Sequence, residues 1–318
     1  MKFLGYYVDD NLSITLTEYL PGGELFRYIS STKYKLTEAK CQIFAKQILL
    51  AIEFMHSKRI IHLDLKPENI LLVNDLMDSS KNNQSSEALK LIDFGLAKNL
   101  GIRKKIPMNM CGTLEFISPE VLRCSHASFA SDMWSAGVIM YMMISGGISP
   151  FWSGTEYGTQ YHIHRAQLAR GGFNHRNFKN VSKESIECVA KLLTLEPKSR
   201  LTASECLQHT WLSSLSHRKL SAPSQSKQLE TAWLRKYLAR RRWKRWIITI
   251  KALNRMIKLG ESVSSNRKEN PKKLQESLKV NDQDLPTEQH SNPIINANGL
   301  SDRLKQLMVQ NYGDLGMR

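Results

Sequence analysis

His62-Leu-Asp-Leu-Lys-Pro-Glu-Asn69, followed further on by Asp93-Phe-Gly95, is the stretch that decides how this chain reads. Asp64 is a loop carboxylate able to accept a proton from an attacking hydroxyl. Lys66, two residues on, can set a positive charge against a transferring phosphoryl group. Asn69 and Asp93 supply hard oxygens of the kind that suit Mg²⁺. Phosphoryl transfer needs little covalent help, so positioning and charge neutralisation are the whole task, and these groups supply much of it.

Working outward, residues 3–20 read as two short strands, Phe3-Leu-Gly-Tyr-Tyr-Val8 and Leu12-Ser-Ile-Thr-Leu-Thr-Glu18, joined by an Asp-Asp-Asn turn. Pro21-Gly22-Gly23 breaks the pattern. A long helix follows Leu36, capped by Thr37, with Cys41, Phe44, Ala45, Ile48, Ile52 and Met55 at helical spacing on its buried face. Short apolar strands run from Ile60 to Ala97, interrupted by a Ser- and Asn-rich stretch, Asn74 to Ala88, that reads as a surface insertion. Helices separated by Gly- and Pro-marked turns fill about 132–212.

The catalytic constellation closely resembles the eukaryotic protein kinases, and the resemblance covers about Phe3 to Leu212. Cys111-Gly-Thr-Leu-Glu-Phe-Ile-Ser-Pro-Glu120 is similar to the family's substrate-side loop, with Ser-Pro-Glu in place of Ala-Pro-Glu. Ser131-Asp-Met-Trp-Ser-Ala-Gly137 resembles the buried helix whose Asp132 anchors the catalytic loop, and Arg200 matches the partner of Glu120. The resemblance implies an α+β, protein-kinase-like fold: a remnant of the small lobe and hinge over 1–20 and a mainly helical large lobe over 21–212. It also implies ATP and Mg²⁺ as cofactors, with Asp64, Lys66 and Asn69 catalytic and Asn69 and Asp93 on the metal. Glu18, Tyr19 and Leu20 are the implied hinge against adenine and Leu71 the pocket floor. Glu24 and Glu68 sit where the family meets ribose or basic substrate residues, although an acid at a helix start equally explains Glu24. Lys66-Pro67-Glu68 resembles the serine/threonine branch.

Two departures from the family pattern matter. Leu63 stands where many kinases carry an Arg that meets an activation-loop phosphate, and no Ser, Thr or Tyr lies between Asp93 and Gly112. Thr113, the first hydroxyl, occupies the family position that bonds the catalytic Asp and Lys. No switching by activation-loop phosphorylation is expected. Second, nothing before Asp64 supplies the Gly-rich loop, the strand Lys or the helix Glu of the small lobe. The chain is therefore expected to be truncated at its N-terminus and, as written, to bind ATP weakly and transfer phosphate poorly.

The second strong signal is basic. Residues 216–260 hold 13 Lys or Arg against one acid, Glu230, whereas the rest of the chain holds 32 basic and 28 acidic residues. Most of the net charge of +16 thus belongs to one segment, and nucleic acid is not the expected partner of the main body. Within it, Trp243, Trp246, Ile247, Ile250, Leu253 and Ile257 fall on one helical face. A membrane-surface helix, a nucleic-acid patch, a solvated helix packed on its own domain and a calmodulin target all compete. Trp243, Ile247, Ile250 and Met256, at offsets 0, 4, 7 and 13, resemble calmodulin anchors and favour the last. With Leu63 and Ile92-Asp-Phe-Gly-Leu-Ala97, this segment most resembles the myosin light chain kinases. That resemblance implies a linker at 213–232, an autoinhibitory, calmodulin-binding helix at 233–259 that Ca²⁺-calmodulin releases, and a protein substrate such as myosin regulatory light chain. Residues 260–318, with eight basic and eight acidic groups and little apolar content, read as a disordered tail.

A death-associated-type kinase and a non-catalytic, calmodulin-binding kinase remnant are the alternatives. Composition bounds the rest: 42% hydrophobic residues can fill a large core, and the longest apolar run, Val138 to Ile144, falls far short of a membrane span. No signal peptide is legible, and five scattered cysteines without a Cys-x-x-Cys pair read as reduced thiols. A cytoplasmic protein is expected, with cytoskeletal association left open. His162 and His164 have no ligand cluster around them and are read as ordinary helix residues.

Overall fold

Strands β1 (Phe3–Asp9) and β2 (Leu12–Thr17) pair antiparallel, as their alternating β-branched and aromatic residues predict. In this computed structural model the described residues are 1–9, 12–74, 88–169, 171–213, 227–243 and 246–251. Most of the 74–88 insertion, much of the linker, Leu253, Met256 and Ile257, and the tail lie outside them.

Beyond the short helix α1 (Leu25–Ile29), α2 runs from Glu38 to Ser57, and the Thr37 hydroxyl accepts the Lys40 amide as predicted. Its apolar stripe is buried, and Glu38 in its first turn accepts hydrogen bonds from the Ser182 amide (2.8 Å) and the Trp211 indole (3.1 Å). One carboxylate thereby ties the start of α2 to two distant segments. After α3 (Pro119–Leu122) comes α4 (Phe129–Ile144), buried on every side from Ser131 to Ile144, which makes it the axis of the core. A capping box between Ser128 and Ser131 starts it. Helices α5 (Glu156–His164), α6 (Lys183–Leu192), α7 (Ala203–Gln208) and α8 (Thr210–Ser213) surround this axis.

Short antiparallel pairs fix the loops between helices. β3 (Ile60–Ile61) pairs with β6 (Lys98–Asn99), and β4 (Ile70–Leu72) with β5 (Leu89–Leu91). β7 (Ile106–Pro107) pairs with β8 (His126–Ala127). Residues 232–243 form a further helix, α9, and 246–251 are again helical.

Candidate active site

β3 delivers the chain straight into His62–Asp64, and Asp132 at the start of α4 holds the turn. Its carboxylate is fully buried and accepts the amides of His62 and Leu63, both at 2.9 Å, while His56 Nε2 lies 3.0 Å from it. Leu63 has φ of 66°, a left-handed conformation that costs a bulky residue roughly 1–3 kcal/mol and persists only where neighbours impose it. Arg59 (65°) and Asp93 (64°) share it, so three of the five such non-glycine residues described frame this one loop. The Asn69 side-chain amide donates to the Asp64 carbonyl (2.9 Å), and the Asn69 carbonyl accepts the Ile92 amide (3.0 Å). The β4–β5 ladder thus sets Asp93 beside Asn69 at one end of the hairpin.

The Asp64 side chain is fixed from two sides. Thr113 Oγ1 donates to Oδ1 at 3.0 Å, and the Lys66 ammonium pairs with Oδ2. Thr113 can reach because Gly112, at φ of 91°, brings its backbone against the catalytic loop. A Cβ there would lie 2.7 Å from the Leu63 carbonyl. Burial, followed by the negative charge of Asp64, pushes the neighbouring Cys111 thiol above its ordinary range. An oxygen nucleophile brought to Asp64 would find a base, a cation and an oriented hydroxyl already in place.

No group of three or more His, Cys, Asp or Glu suited to a metal occurs among the described residues. The donor set nevertheless fits a hard cation. The Asn69 nitrogen is committed to Asp64, which leaves its amide oxygen as acceptor. Asp93 is exposed, and among the described residues the Gly95 amide (3.3 Å) is what its Oδ1 accepts.

Around the implied nucleotide site, Glu18 accepts Lys90 Nζ at 2.7 and 2.8 Å, and that contact holds its carboxyl below the usual range. Tyr19 is 85% exposed whereas Leu20 is buried. Glu24 and Leu71 face each other across an antiparallel bridge, with the Leu72 amide on the Gly23 carbonyl. Behind the substrate-side loop, Arg200 forks onto Glu120 with two 2.8 Å bonds. Its remaining donors reach the carbonyls of Thr194, Leu195 and Ala130.

The basic segment returns to this site. Arg241 Nε donates to Glu68 at 2.5 Å, and Arg240 bonds Glu115 at 2.7 Å while its guanidinium lies 4.2 Å from the Trp152 ring centroid. Leu234 and Tyr237 are buried beneath α9. The helix seats on Gly146 and Gly147: the Leu234 amide bonds the Gly146 carbonyl, and a Cβ on Gly147 would lie 2.1 Å from the Leu234 nitrogen. The residues that follow are open to solvent, with Trp243, Trp246 and Ile250 each more than half exposed and Ile247 at 37%. A cavity of about 840 Å³ separates Glu24 and Arg27 from Arg242 and Trp246. Glu115, Trp152 and Tyr237 were not legible as site residues. Glu115 carries no local sequence signal, because its partner Arg240 is 125 residues away.

A model of the protein kinase domain matches residues 1–212. Myosin light chain kinase 3 of Pongo abelii is 40% identical over 241 residues, which cover 76% of this chain and 28% of that protein. Myosin light chain kinase 2, skeletal/cardiac muscle, of Rattus norvegicus is 40% identical over 250 residues, 78% of this chain and 38% of that protein. The chain therefore spans well under half the length of these relatives. Among solved structures, the twitchin kinase region of C. elegans superposes with a TM-score of 0.64 at 29% identity, covering 75% of this chain and 39% of that one. The autoinhibited serine kinase domain of titin superposes with a TM-score of 0.62 at 30% identity, covering 74% and 68%.

Proposed function

This chain belongs to the protein kinase family, and from that premise we propose a serine/threonine kinase of the myosin light chain kinase type, restrained by its own basic helix and released by Ca²⁺-calmodulin. The observation that carries the reading is Asp64, held by Thr113 and Lys66 in a loop that Asp132 anchors. Asp64 takes the proton of the acceptor hydroxyl, Thr113 fixes the carboxylate's orientation, and Lys66 offsets charge on the transferred group. ATP with Mg²⁺, when bound, supplies the phosphoryl group, with Asn69 and Asp93 as protein ligands of the metal and Glu18, Tyr19, Leu20, Glu24 and Leu71 around the nucleoside. Similarity to kinases named for myosin light chains makes regulatory light chain the substrate to try first. Single-turnover phosphorylation of that light chain with labelled ATP tests this. The D64N variant is expected to be at least about 100-fold slower, the usual worth of a general base. Equal rates for the two proteins would remove Asp64 from the mechanism.

Restraint is supported by the two arginine–glutamate contacts, because Glu68 and Glu115 are acids that a basic substrate would otherwise meet. Release is supported by the open face of the basic segment, which presents Trp243, Ile247 and Ile250 to solvent while Met256 lies outside the described residues. Saturating Ca²⁺-calmodulin is expected to shift tryptophan emission to the blue. W243A should weaken binding by roughly 30-fold, as loss of a tryptophan hot spot of about 2 kcal/mol implies. An unshifted emission spectrum would exclude calmodulin. No helix among the described residues is long and apolar enough to cross a membrane; likeness to the myosin light chain kinases is what supports the cytoplasmic location we propose.

A further inference from the structure

The segment between Asp93 and Gly112 carries Lys98, Arg103, Lys104 and Lys105 with no acid to balance them and no hydroxyl to phosphorylate. A run of this kind repels itself, yet it lies in a defined path. Its ends are fixed by the β3–β6 and β7–β8 pairs. Between them the path depends on one residue outside the segment. Arg59 Nε donates to the Gly101 carbonyl at 2.8 Å and Nη2 to the Arg103 carbonyl at 2.5 Å. In return the Arg59 carbonyl accepts the Leu100 amide at 2.8 Å, and Leu100 is buried. The guanidinium lies 4.9 Å from the Phe129 ring centroid, which orients its fork toward the loop. Arg59 holds φ of 65°, a costly conformation for an arginine that the surrounding contacts must impose. It is five residues upstream of Asp64, in the turn just before β3, which feeds the catalytic loop.

We infer that Arg59 is a positioning residue: its fork on Gly101 and Arg103 fastens the activation segment to the catalytic loop and does the ordering that a phosphate would otherwise do. The inference rests on the kinase reading for what the segment faces, but the fastening itself can be tested without activity. Glycine suits a positive φ, so R59G removes the fork without straining the backbone. R59K keeps the charge but cannot bridge two carbonyls at once.

Limited trypsin digestion, with the Arg103–Lys105 cleavages followed by mass spectrometry, reads how often the segment opens. Both variants are expected to be cut there about tenfold faster than the parent, with cleavage elsewhere and the melting temperature unchanged. In peptide phosphorylation KM should rise several-fold while kcat holds. Parent-like cleavage at 103–105 would overturn the proposal. So would acceleration at every site together with a lower melting temperature, which would mark Arg59 as general scaffold. If no protein phosphorylates the peptide, catalysis by this chain as proposed above fails, and the digestion still decides the role of Arg59.

Discussion

Reversing both arginines, R240E with R241E, is expected to raise the affinity of the cleft for a basic acceptor peptide by about 10–100-fold, or roughly 1.4–2.7 kcal/mol. In the parent, Arg241 covers Glu68 and Arg240 covers Glu115, with the arginine side chains 21% and 30% exposed. Breaking one partner of a close, partly buried charge pair typically costs 2–5 kcal/mol, and reversal adds repulsion between like charges. The expected gain is set below the sum because solvent screens part of each contact. The tether gives α9 an effective concentration in the millimolar range, so a peptide that meets the same acids must compete with it. Leu234 keeps its packing on Gly147 and Tyr237 its edge contact with the Phe26 ring, so the variant should stay folded. Fluorescence anisotropy with a labelled basic peptide measures the effect. Unchanged affinity, with α9 as protected from hydrogen exchange as in the parent, would mean that the arginines are not what closes the site.

In the proposed scheme restraint and release use different parts of the basic segment. Docking uses Thr231, Leu234, Tyr237 and Arg241, spaced three or four residues apart on one side. Trp243, Ile247 and Ile250, the proposed calmodulin anchors, are exposed to solvent. In the proposed scheme a partner grips the open face first and then draws α9 away, so its binding energy need only exceed the docking energy to shift the population.

Sequence made the catalytic loop legible because each of its residues has a distinct chemical task and a fixed spacing from the next. Asp64, Asn69 and Thr113 come together in the structure, with the Asn69 amide on the Asp64 carbonyl and the Thr113 hydroxyl on its carboxylate. The helices were legible for a simpler reason: Thr37 caps α2, and the apolar stripe from Cys41 to Met55 is buried. Contacts between distant segments were not legible. Glu115 and Arg240 are 125 residues apart, and Glu68 and Arg241 are 173 apart, so no local pattern pairs them. Helical spacing marks the apolar side of the basic segment but not the docking side, which alternates Leu, Tyr and Arg and has little periodic signal. Arg59 was hidden because its partners are backbone carbonyls, which any sequence supplies.

The largest loss of stability is expected at the buried fork behind the substrate-side loop. Arg200 is fully buried and Glu120 is 5% exposed, and every remaining donor of the guanidinium has a backbone partner. Such a pair adds little net stability, but removing one member strands the other charge at a cost of about 3–5 kcal/mol. R200M should therefore lower the melting temperature by roughly 10 °C, taking 2–4 °C per kcal/mol for a unit of this size. The pH dependence carries a sign that a generic core defect would lack. Burial pushes the Glu120 carboxyl up, but the hydrogen bonds and charge of Arg200 outweigh it and hold it below the ordinary 4.5. The contribution of the pair is thus present above about pH 4.5 and is lost as pH falls through the lower folded value. In R200M the Arg200 contacts are gone and burial is opposed only by the remaining hydrogen bonds, that of the Ser131 hydroxyl among them, so Glu120 protonates earlier than in the parent and the stranded charge disappears in acid. The gap between parent and R200M should narrow as pH falls from 7 toward 4, and E120Q with R200M together should cost less than the two single changes added. Melting curves for the four proteins across that range decide it. A constant gap, or an R200M that melts within 2 °C of the parent at pH 7, would show that the fork does not hold this part of the fold together.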